Sequence, residues 1–449
     1  MNRRTFVKRT GVAAAAISIL PVSNLFAQRR NVRIGIIGVG LRGQNHLELA
    51  LMRTDTEVVA ICDISERMLT DALDMVKKSG KSVPKVFKGD VNAWKKLVEL
   101  KDLDGVIIAT PWEWHAPMII GSLEAGIKYV GTEVMLGITL QDHWDVVKAA
   151  EKYKGHVMMM ENVCYRRDVM AVLNMVRQGM FGELIHLQGG YQHDLRAVKF
   201  NDGKQPYGGG VEFGEKGFSE AAWRTNHSVH RDGDLYPTHG IGPVAEMINI
   251  NRGNRFLSLS SFSTKARGLH DYIVNNGGKD HPNAAVEFKL GDVVTTMIKC
   301  VNGETVLLQH DTNLPRPYSL GFRVQGTKGI WMDVNKSIYL EGTSPKAHQW
   351  EEAKPYLDKY DHPLWQRWSK ETAGAGHGGM DFFVVHALIE SIKNQTPTPM
   401  DVYDGAAWSA ITPLSEKSIE LGNETVEFPD FTGGQWMYRK NTFATNDAY

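Results

Sequence analysis

Three cysteines in 449 residues (Cys62, Cys164 and Cys300) are too few and too widely spaced for a disulfide framework or a zinc cluster. Cys62 ends an apolar run and reads as a small buried hydrophobe. Charge of one sign is also lacking. The chain carries 51 Lys plus Arg and 51 Asp plus Glu, and this balance argues against nucleic acid as a partner, which requires a basic footprint. The apolar run at residues 11–20 is too short for a permanent membrane span. Internal repeats and low-complexity tracts are missing, which excludes solenoids and disordered tails. What remains is 42% apolar and 23% charged, a globular composition, over a length that exceeds one hydrophobic core and so implies two domains.

The most informative stretch is Val-Arg-Ile-Gly-Ile-Ile-Gly-Val-Gly-Leu-Arg-Gly at residues 32–43. Residues 34–39 read as a buried parallel strand, and Gly38, Gly40 and Gly43 follow with G-x-G-x-x-G spacing into a helix expected near Gln44. Gly38 allows the tight turn, Gly40 lets the backbone approach a pyrophosphate, and Gly43 lets helix and strand pack closely. The helix N-terminus offers free N–H groups and partial positive charge to phosphates. A second strand, residues 57–62, ends in Asp63, which lies 20 residues after Gly43. An acid there accepts hydrogen bonds from the ribose of NAD and repels the extra phosphate of NADP. These residues predict a dinucleotide site.

Strand and helix patterns alternate from residue 31 to 162, as a Rossmann doubly wound parallel sheet requires. Helices are expected at 65–79, 116–125 and 141–154, and strands at 104–110, 128–131 and 157–160. Residues 111–115, Pro-Trp-Glu-Trp-His, read as a loop at the carboxyl end of a strand, where open α/β sheets bind ligands. Beyond a helix at 167–178, residues 163–449 read as an α+β domain with a large, mostly antiparallel open sheet. Its strands are expected at 184–190, 257–263, 284–289, 292–300, 304–310 and 322–326, with turns at Asn302-Gly303 and Lys328-Gly329. The irregular segment 196–233 is long enough to suggest function. Late helices are expected at 381–394 and 402–421, packing back on one of the two domains.

Residues 1–30 stand apart. Arg3-Arg4-Thr5-Phe6-Val7-Lys8 before the apolar run resembles a twin-arginine signal peptide, with cleavage expected after Ala27 and export to the periplasm as the consequence. An exported enzyme with a nucleotide site cannot draw on a cytoplasmic pool, so its cofactor has to be acquired before export and held.

The glycine fingerprint, Thr110-Pro111 with His115, and Glu133 at the next strand end resemble the glucose–fructose and inositol dehydrogenase superfamily. The usual Glu-Lys-Pro of that superfamily is Glu133-Val134-Met135 here, without the lysine that assists hydride transfer. Longer strings are similar to glycoside hydrolase family 109: Trp112-Glu113-Trp114-His115, Glu161-Asn162-Val163-Cys164-Tyr165, Gly189-Gly190-Tyr191-Gln192-His193, Asp234-Leu235-Tyr236-Pro237-Thr238-His239 and Gly376-His377-Gly378-Gly379-Met380-Asp381. The resemblance implies an exported, NAD-dependent α-N-acetylgalactosaminidase. In such enzymes transient C3 oxidation of the sugar permits elimination of the glycosidic oxygen, water addition and re-reduction, so the cofactor ends as it began. It further implies that Leu41, Arg42, Asp63, Trp112, Glu113, Trp114, His115, Glu133, Val134 and Asn162 line NAD. Tyr191, Arg224, Tyr236, Pro237, Thr238, His239 and Tyr318 would surround the sugar, an α-N-acetylgalactosaminyl glycan, and the superfamily leads one to expect a homo-oligomer.

From chemistry alone, His239 can act as a base near neutral pH, and Tyr236, one helical turn earlier, would point to the same side. Alternatively, a histidine in a Gly/Pro-rich segment is often structural, and an Arg such as Arg224 often ends in a surface salt bridge. Glu161 is either an acid near the sugar or a strand-end partner for the nicotinamide amide. His193-Asp194, His227 with His230, and His310-Asp311 match no zinc spacing, so no metal is expected. Two rival functions fit the same residues: an NAD-dependent sugar oxidoreductase with net oxidation, and a non-catalytic periplasmic sugar-binding protein.

Overall fold

In a computed structural model describing residues 30–449, β1 (Val32–Ile37) is buried at all positions but one, as a strand covered on both faces should be. The expected twin-arginine segment and the expected cleavage after Ala27 lie outside the described residues. After β1 the chain runs through α1 (Leu41–Met52), β2 (Thr56–Cys62), α2 (Glu66–Ser79), β3 (Lys85–Phe87), α3 (Ala93–Val98), β4 (Gly105–Ile108), α4 (Trp112–Glu124), β5 (Tyr129–Thr132), α5 (Leu140–Tyr153) and β6 (His156–Met159). The six strands are parallel in the order β3-β2-β1-β4-β5-β6. The order reverses between β1 and β4, and a ligand crevice opens outside the carboxyl ends of strands at such a switch point.

The glycine turn is tighter than the sequence reading. α1 starts at Leu41, three residues before Gln44, because Gly40 is its N-cap in extended backbone. Gly38 sits at φ +85°, which favours glycine. Gly43 is already inside the helix, and a Cβ there would lie 1.9 Å from the Gly38 carbonyl oxygen. No rotamer relieves a backbone clash. Gly43→Ala is therefore expected to shift α1, to cost about 1–3 kcal/mol in urea unfolding, and to weaken NAD binding measured by titration.

Two further elements differ from expectation. Residues 111–115 are not a loop: Pro111 caps α4, and Trp112 begins its first turn. The expected single helix at 402–421 is two, Val402–Ser409 and Ile411–Glu420. Pro413 has no N–H to donate to the Ser409 carbonyl, which favours the break.

The second sheet contains β7 (Leu184–Gln192), β8 (Phe256–Ser263), β9 (Val293–Cys300), β10 (Thr305–Asp311), β11 (Arg323–Gly326), β12 (Gly329–Met332), β13 (Ser337–Leu340), β14 (Glu351–Glu352) and β15 (Val426–Glu427). Their order is β14-β13-β12-β11-β7-β10-β9-β8-β15, antiparallel except for the β7–β10 pair. Gly303, at φ +105°, turns β9 into β10. Residues 284–289 are not a strand. Pro282 opens a 3-10 turn, Pro282–Ala285, and the His281 ring accepts the Asn283 N–H to start it.

Residues 32–449 form one unit in which the C-terminal helices cover both sheets. Met380–Asn394 packs on α1, β1 and β5, Val402–Ser409 on α5 and β6, and Ile411–Glu420 on β8. All three cysteines are buried and unpaired. No helix among the described residues is long and apolar enough to cross a membrane.

Candidate active site

A cleft of about 850 Å³ runs from the glycine turn to the edge of the second sheet, so residues from both sheets share one space. Its volume falls within the usual range for ligand pockets, ~300–1,000 Å³.

At the nucleotide end the wall holds Gly38, Gly40, Leu41, Arg42, Asp63, Trp112, Trp114, Glu133, Val134 and Asn162. The fit to a dinucleotide can be read from two observations. A Cβ on Gly40 would meet nothing within 4 Å, so the backbone there faces open space that a pyrophosphate can fill. In addition, no side chain caps the first turn of α1, which leaves its N–H groups for an anion. Asp63 does more than face the cavity. Its Oδ2 accepts the Val39 N–H at 2.8 Å and its Oδ1 the Ser65 N–H at 2.8 Å, fastening the glycine turn to the end of β2. Burial raises its pKa.

Part of this wall is a charge cluster backed by His46 and Asp381. Arg42 donates Nε to Glu133 at 2.7 Å and Nη1 to Asp381 at 2.8 Å. His46 Nε2 bonds Glu133 at 2.6 Å, while the Asn162 amide and His377 Nδ1 bond Asp381 at 2.7 and 2.6 Å. Burial would raise the Glu133 pKa, but Arg42 and His46 outweigh it and hold it at about 2. Asp381 is likewise pulled below the usual carboxylate range, by His377 and Arg42 against burial.

Four residues expected at ligands stand elsewhere. Glu113 turns away from the cavity to lie 3.8 Å from His227. His115 is wholly buried and braces the backbone, with Nδ1 2.5 Å from the Met135 carbonyl and Nε2 2.7 Å from the Thr110 carbonyl. Pro237 and Thr238 are buried behind the cavity wall, at the cap and first residue of α9 below. Of residues 112–115, Trp112 and Trp114 line the cavity and Glu113 and His115 do not.

The substrate end is built on three helices after α6 (Arg167–Arg177): α7 (Arg196–Lys199), α8 (Arg224–His230) and α9 (Thr238–Met247). His239 lies in the first turn of α9, and its Nδ1 is 2.7 and 2.9 Å from the two oxygens of Glu161. Glu161, wholly buried just beyond β6, also accepts the Val163 N–H at 3.0 Å. A carboxylate only accepts, so Nδ1 carries the proton and Nε2 is the nitrogen left for the cavity.

Tyr236 precedes α9 rather than lying inside it, yet its ring still meets His239 edge-on with centroids 4.9 Å apart. Its backbone N–H is held by Asp234 Oδ1 at 3.1 Å, an Asx turn that does the work expected of a helix. Burial pushes the Asp234 carboxyl up to about 7. Tyr191, from β7, completes the cluster at 4.7 Å from Tyr236 and 5.2 Å from His239. Arg224 is no surface arginine: its guanidinium lies over Trp112, Trp223 and Tyr236 at 4.9, 5.3 and 5.2 Å, paired with Glu220 at 2.6 Å. Burial raises the phenol pKa of both tyrosines, and Arg224 opposes it. Tyr318 is half exposed at the mouth, edge-on to His193 at 4.9 Å.

Two backbones touch here. A Cβ on Gly189 would lie 2.3 Å from the Gly240 oxygen, and one on Gly240 would lie 2.4 Å from the Gly190 nitrogen. α9 thus rests directly on β7. The remaining histidine–acid pairs do not converge: His193 bonds the Tyr191 hydroxyl, Asp194 pairs with Arg196, and Asp311 with Arg316. Sequence reasoning left Asp381 and Glu220 without a role and Glu161 undecided. A signal did exist for Glu161. It stands just past a parallel strand, as Asp63 and Glu133 do, and strand ends are where this fold binds ligands.

Comparison with known proteins gives the relationship. Residues 32–161 match the family model "Oxidoreductase family, NAD-binding Rossmann fold", and residues 165–438 match "Glycosyl hydrolase 109, C-terminal domain". A glycosyl hydrolase family 109 protein of Stenotrophomonas maltophilia is 60% identical, covering 100% of this chain and 99% of that protein. An alpha-N-acetylgalactosaminidase of Tannerella forsythia is 52% identical over 92% of this chain and 89% of that protein. Among solved structures, a levoglucosan dehydrogenase in complex with NADH and levoglucosan superposes with a TM-score of 0.61 at 18% identity, covering 89% of this chain and 100% of that one. A myo-inositol dehydrogenase of Lactobacillus casei gives 0.60 at 15%, covering 91% and 99%. At such identities these two show the shared fold alone. The chain belongs to glycosyl hydrolase family 109, a glycoside hydrolase in which residues 32–161 are an NAD-binding Rossmann domain.

Proposed function

We propose that this protein is an exported retaining exo-glycosidase that releases terminal α-linked N-acetylgalactosamine through transient oxidation at C3, elimination, water addition and re-reduction. The observation that carries the reading is the Glu161-held His239 in the same cavity as an uncapped, glycine-lined helix N-terminus. The Tannerella forsythia relative, named for that activity, supports the choice of sugar. When bound, NAD supplies reversible hydride transfer at C3 and is unchanged after each cycle.

The chain's own residues supply the rest. Gly40 and the first turn of α1 would receive the pyrophosphate, Asp63 the adenosine ribose, and Glu133, Val134 and Asn162 the nicotinamide end. Val134 presents an alkyl group where Glu-Lys-Pro dehydrogenases carry lysine. Proton handling therefore falls to the His239, Tyr236 and Tyr191 cluster. His239 takes up a proton at Nε2 while Glu161 stabilises the resulting cation. Tyr236 and Tyr191, kept neutral by burial, donate hydrogen bonds to sugar oxygens, and Arg224 beside Trp112 and Trp223 recognises the acetamido carbonyl. Arg3-Arg4 supports export, and a cofactor restored at each turnover is compatible with it.

A panel of nitrophenyl glycosides, assayed with and without added NAD, tests the reading. Release of nitrophenol from the α-N-acetylgalactosaminide is expected, with loss of C2 deuterium to solvent and no net rise at 340 nm. Steady accumulation of NADH with oxidised sugar would establish an oxidoreductase instead, and full retention of the C2 label would exclude elimination. Fractionation of cells expressing the full chain, with Arg3 and Arg4 changed to lysine as comparison, tests export.

A further inference from the structure

A resident cofactor, as proposed above, needs something to keep it in. The Rossmann crevice is open on the side away from its sheet, and the adenosine end lies farthest from the sugar. In this chain that end is covered by a segment of the second half. Residues 201–220 leave α7, cross the crevice and return to α8. Gly217, Phe218, Ser219 and Glu220 line the cavity opposite Ile64, Ser65 and Met68, which follow the ribose-binding position Asp63.

The crossing is built as a fixed loop. Asn201 is wholly buried, and its side chain ties the two ends together: Nδ2 donates to the Phe218 carbonyl at 2.7 Å, while Oδ1 accepts from Gly203 at 3.0 Å and Phe218 at 3.1 Å. The backbones of Asn201 and Glu212 exchange both hydrogen bonds, at 3.1 and 2.9 Å. Across the crevice, one residue of the nucleotide half clasps it. Arg67, on the outer side of α2, donates Nη1 to the Lys204 carbonyl at 2.8 Å and lays its guanidinium over the Phe218 ring at 4.5 Å. Arg67 itself does not line the cavity.

We propose that residues 201–220 form the second wall of the adenosine site, closed by the Arg67 clasp, and that this strap keeps NAD bound between turnovers. The Asp63–Met68 side and the Phe218 backbone and ring would hold the adenine–ribose moiety between them. Release requires the clasp to open, whereas the sugar enters at the Tyr318 end without disturbing it. This placement rests on the resident-cofactor reading but concerns binding, not hydrolysis.

The test counts nucleotide. Purified holoenzyme is diluted into a buffer containing alcohol dehydrogenase and ethanol, which convert released NAD to NADH read at 340 nm. Arg67→Ala removes one hydrogen bond and one cation–π contact and is expected to speed release about tenfold. Phe218→Ala is expected to do so by at least as much. With excess added NAD, Arg67→Ala should keep the kcat of the unaltered protein, and the Tm of its NAD-free form should match that of the NAD-free unaltered protein because Arg67 is exposed. Release as slow as in the unaltered protein for both variants would overturn the proposal. Faster release matched by a fall in the Tm of the NAD-free form would overturn it too, since the clasp would then be structural. Slow release from the unaltered protein, faster release from the variants and no glycoside hydrolysis would uphold the strap and overturn only the glycosidase reading.

Discussion

Replacing His239 with alanine is expected to lower kcat about 10³-fold on a nitrophenyl substrate while leaving the NAD content of the purified protein intact. The size follows from removal of a positioned acid–base group, typically worth ~10²–10⁴-fold. His239 stands at the sugar end of the cavity, among Tyr191 and Tyr236, and touches no part of the glycine turn. The companion variant Glu161→Gln keeps the size of the side chain and can still accept the Val163 N–H, but it loses the charge that stabilises protonated His239. A fall of about 10²-fold in kcat is expected. Activity within a factor of a few for His239→Ala would remove it from the chemistry altogether.

The second large effect concerns folding. Arg42→Ala is expected to cost about 3–5 kcal/mol in urea unfolding, because it leaves Glu133 and Asp381 buried beside a lost cation. His46 and His377 remain to share their charge, which places the expectation near the lower figure. The pH dependence has a definite sign. Both carboxyls have native pKa values below their unfolded ones, Glu133 at about 2 and Asp381 lower than the usual range. Their contribution is therefore complete above about pH 5 and is lost as the pH falls through the native values. The stability gap between the unaltered protein and Arg42→Ala should be full at pH 7 and shrink below about pH 4. A gap that grows on acidification would contradict this account.

The Rossmann sheet was legible in β1, β2, β4, β5 and β6 because each is a short apolar block and the glycines fix the first turn, whereas β3 (Lys85–Phe87), three residues on the exposed edge, carries no such signal. The second sheet was half legible. β7 to β10 alternate over seven to nine residues, whereas β12 to β15 have four, four, two and two, too short for a period to show. Site residues divided in the same way. Asp63, Glu133 and Tyr236 announce themselves by position in local motifs. The Glu161–His239 bond spans 78 residues and the Arg42–Asp381 bond 339, and no spacing rule connects partners so far apart. At 112–115 all four residues were expected at the nucleotide, whereas Trp112 and Trp114 line the cavity and Glu113 and His115 are held by partners outside it, which no local spacing announces.

The contact of Gly240 with Gly189 and Gly190 bears on how this enzyme can change its substrate. Tyr191 and His239 are each one residue from that contact, so the distance between them is set by two main chains and not by side chains that could repack. Any larger residue at these glycines would push base and phenol apart together. New sugars must therefore be accommodated by the opposite wall, the irregular stretch that carries Glu220, Trp223 and Arg224, where an insertion or a new side chain alters the cavity without moving the acid–base pair. Libraries aimed at altered glycan preference belong in residues 221–233, beyond the segment that covers the nucleotide end, and the α9–β7 contact is best left alone.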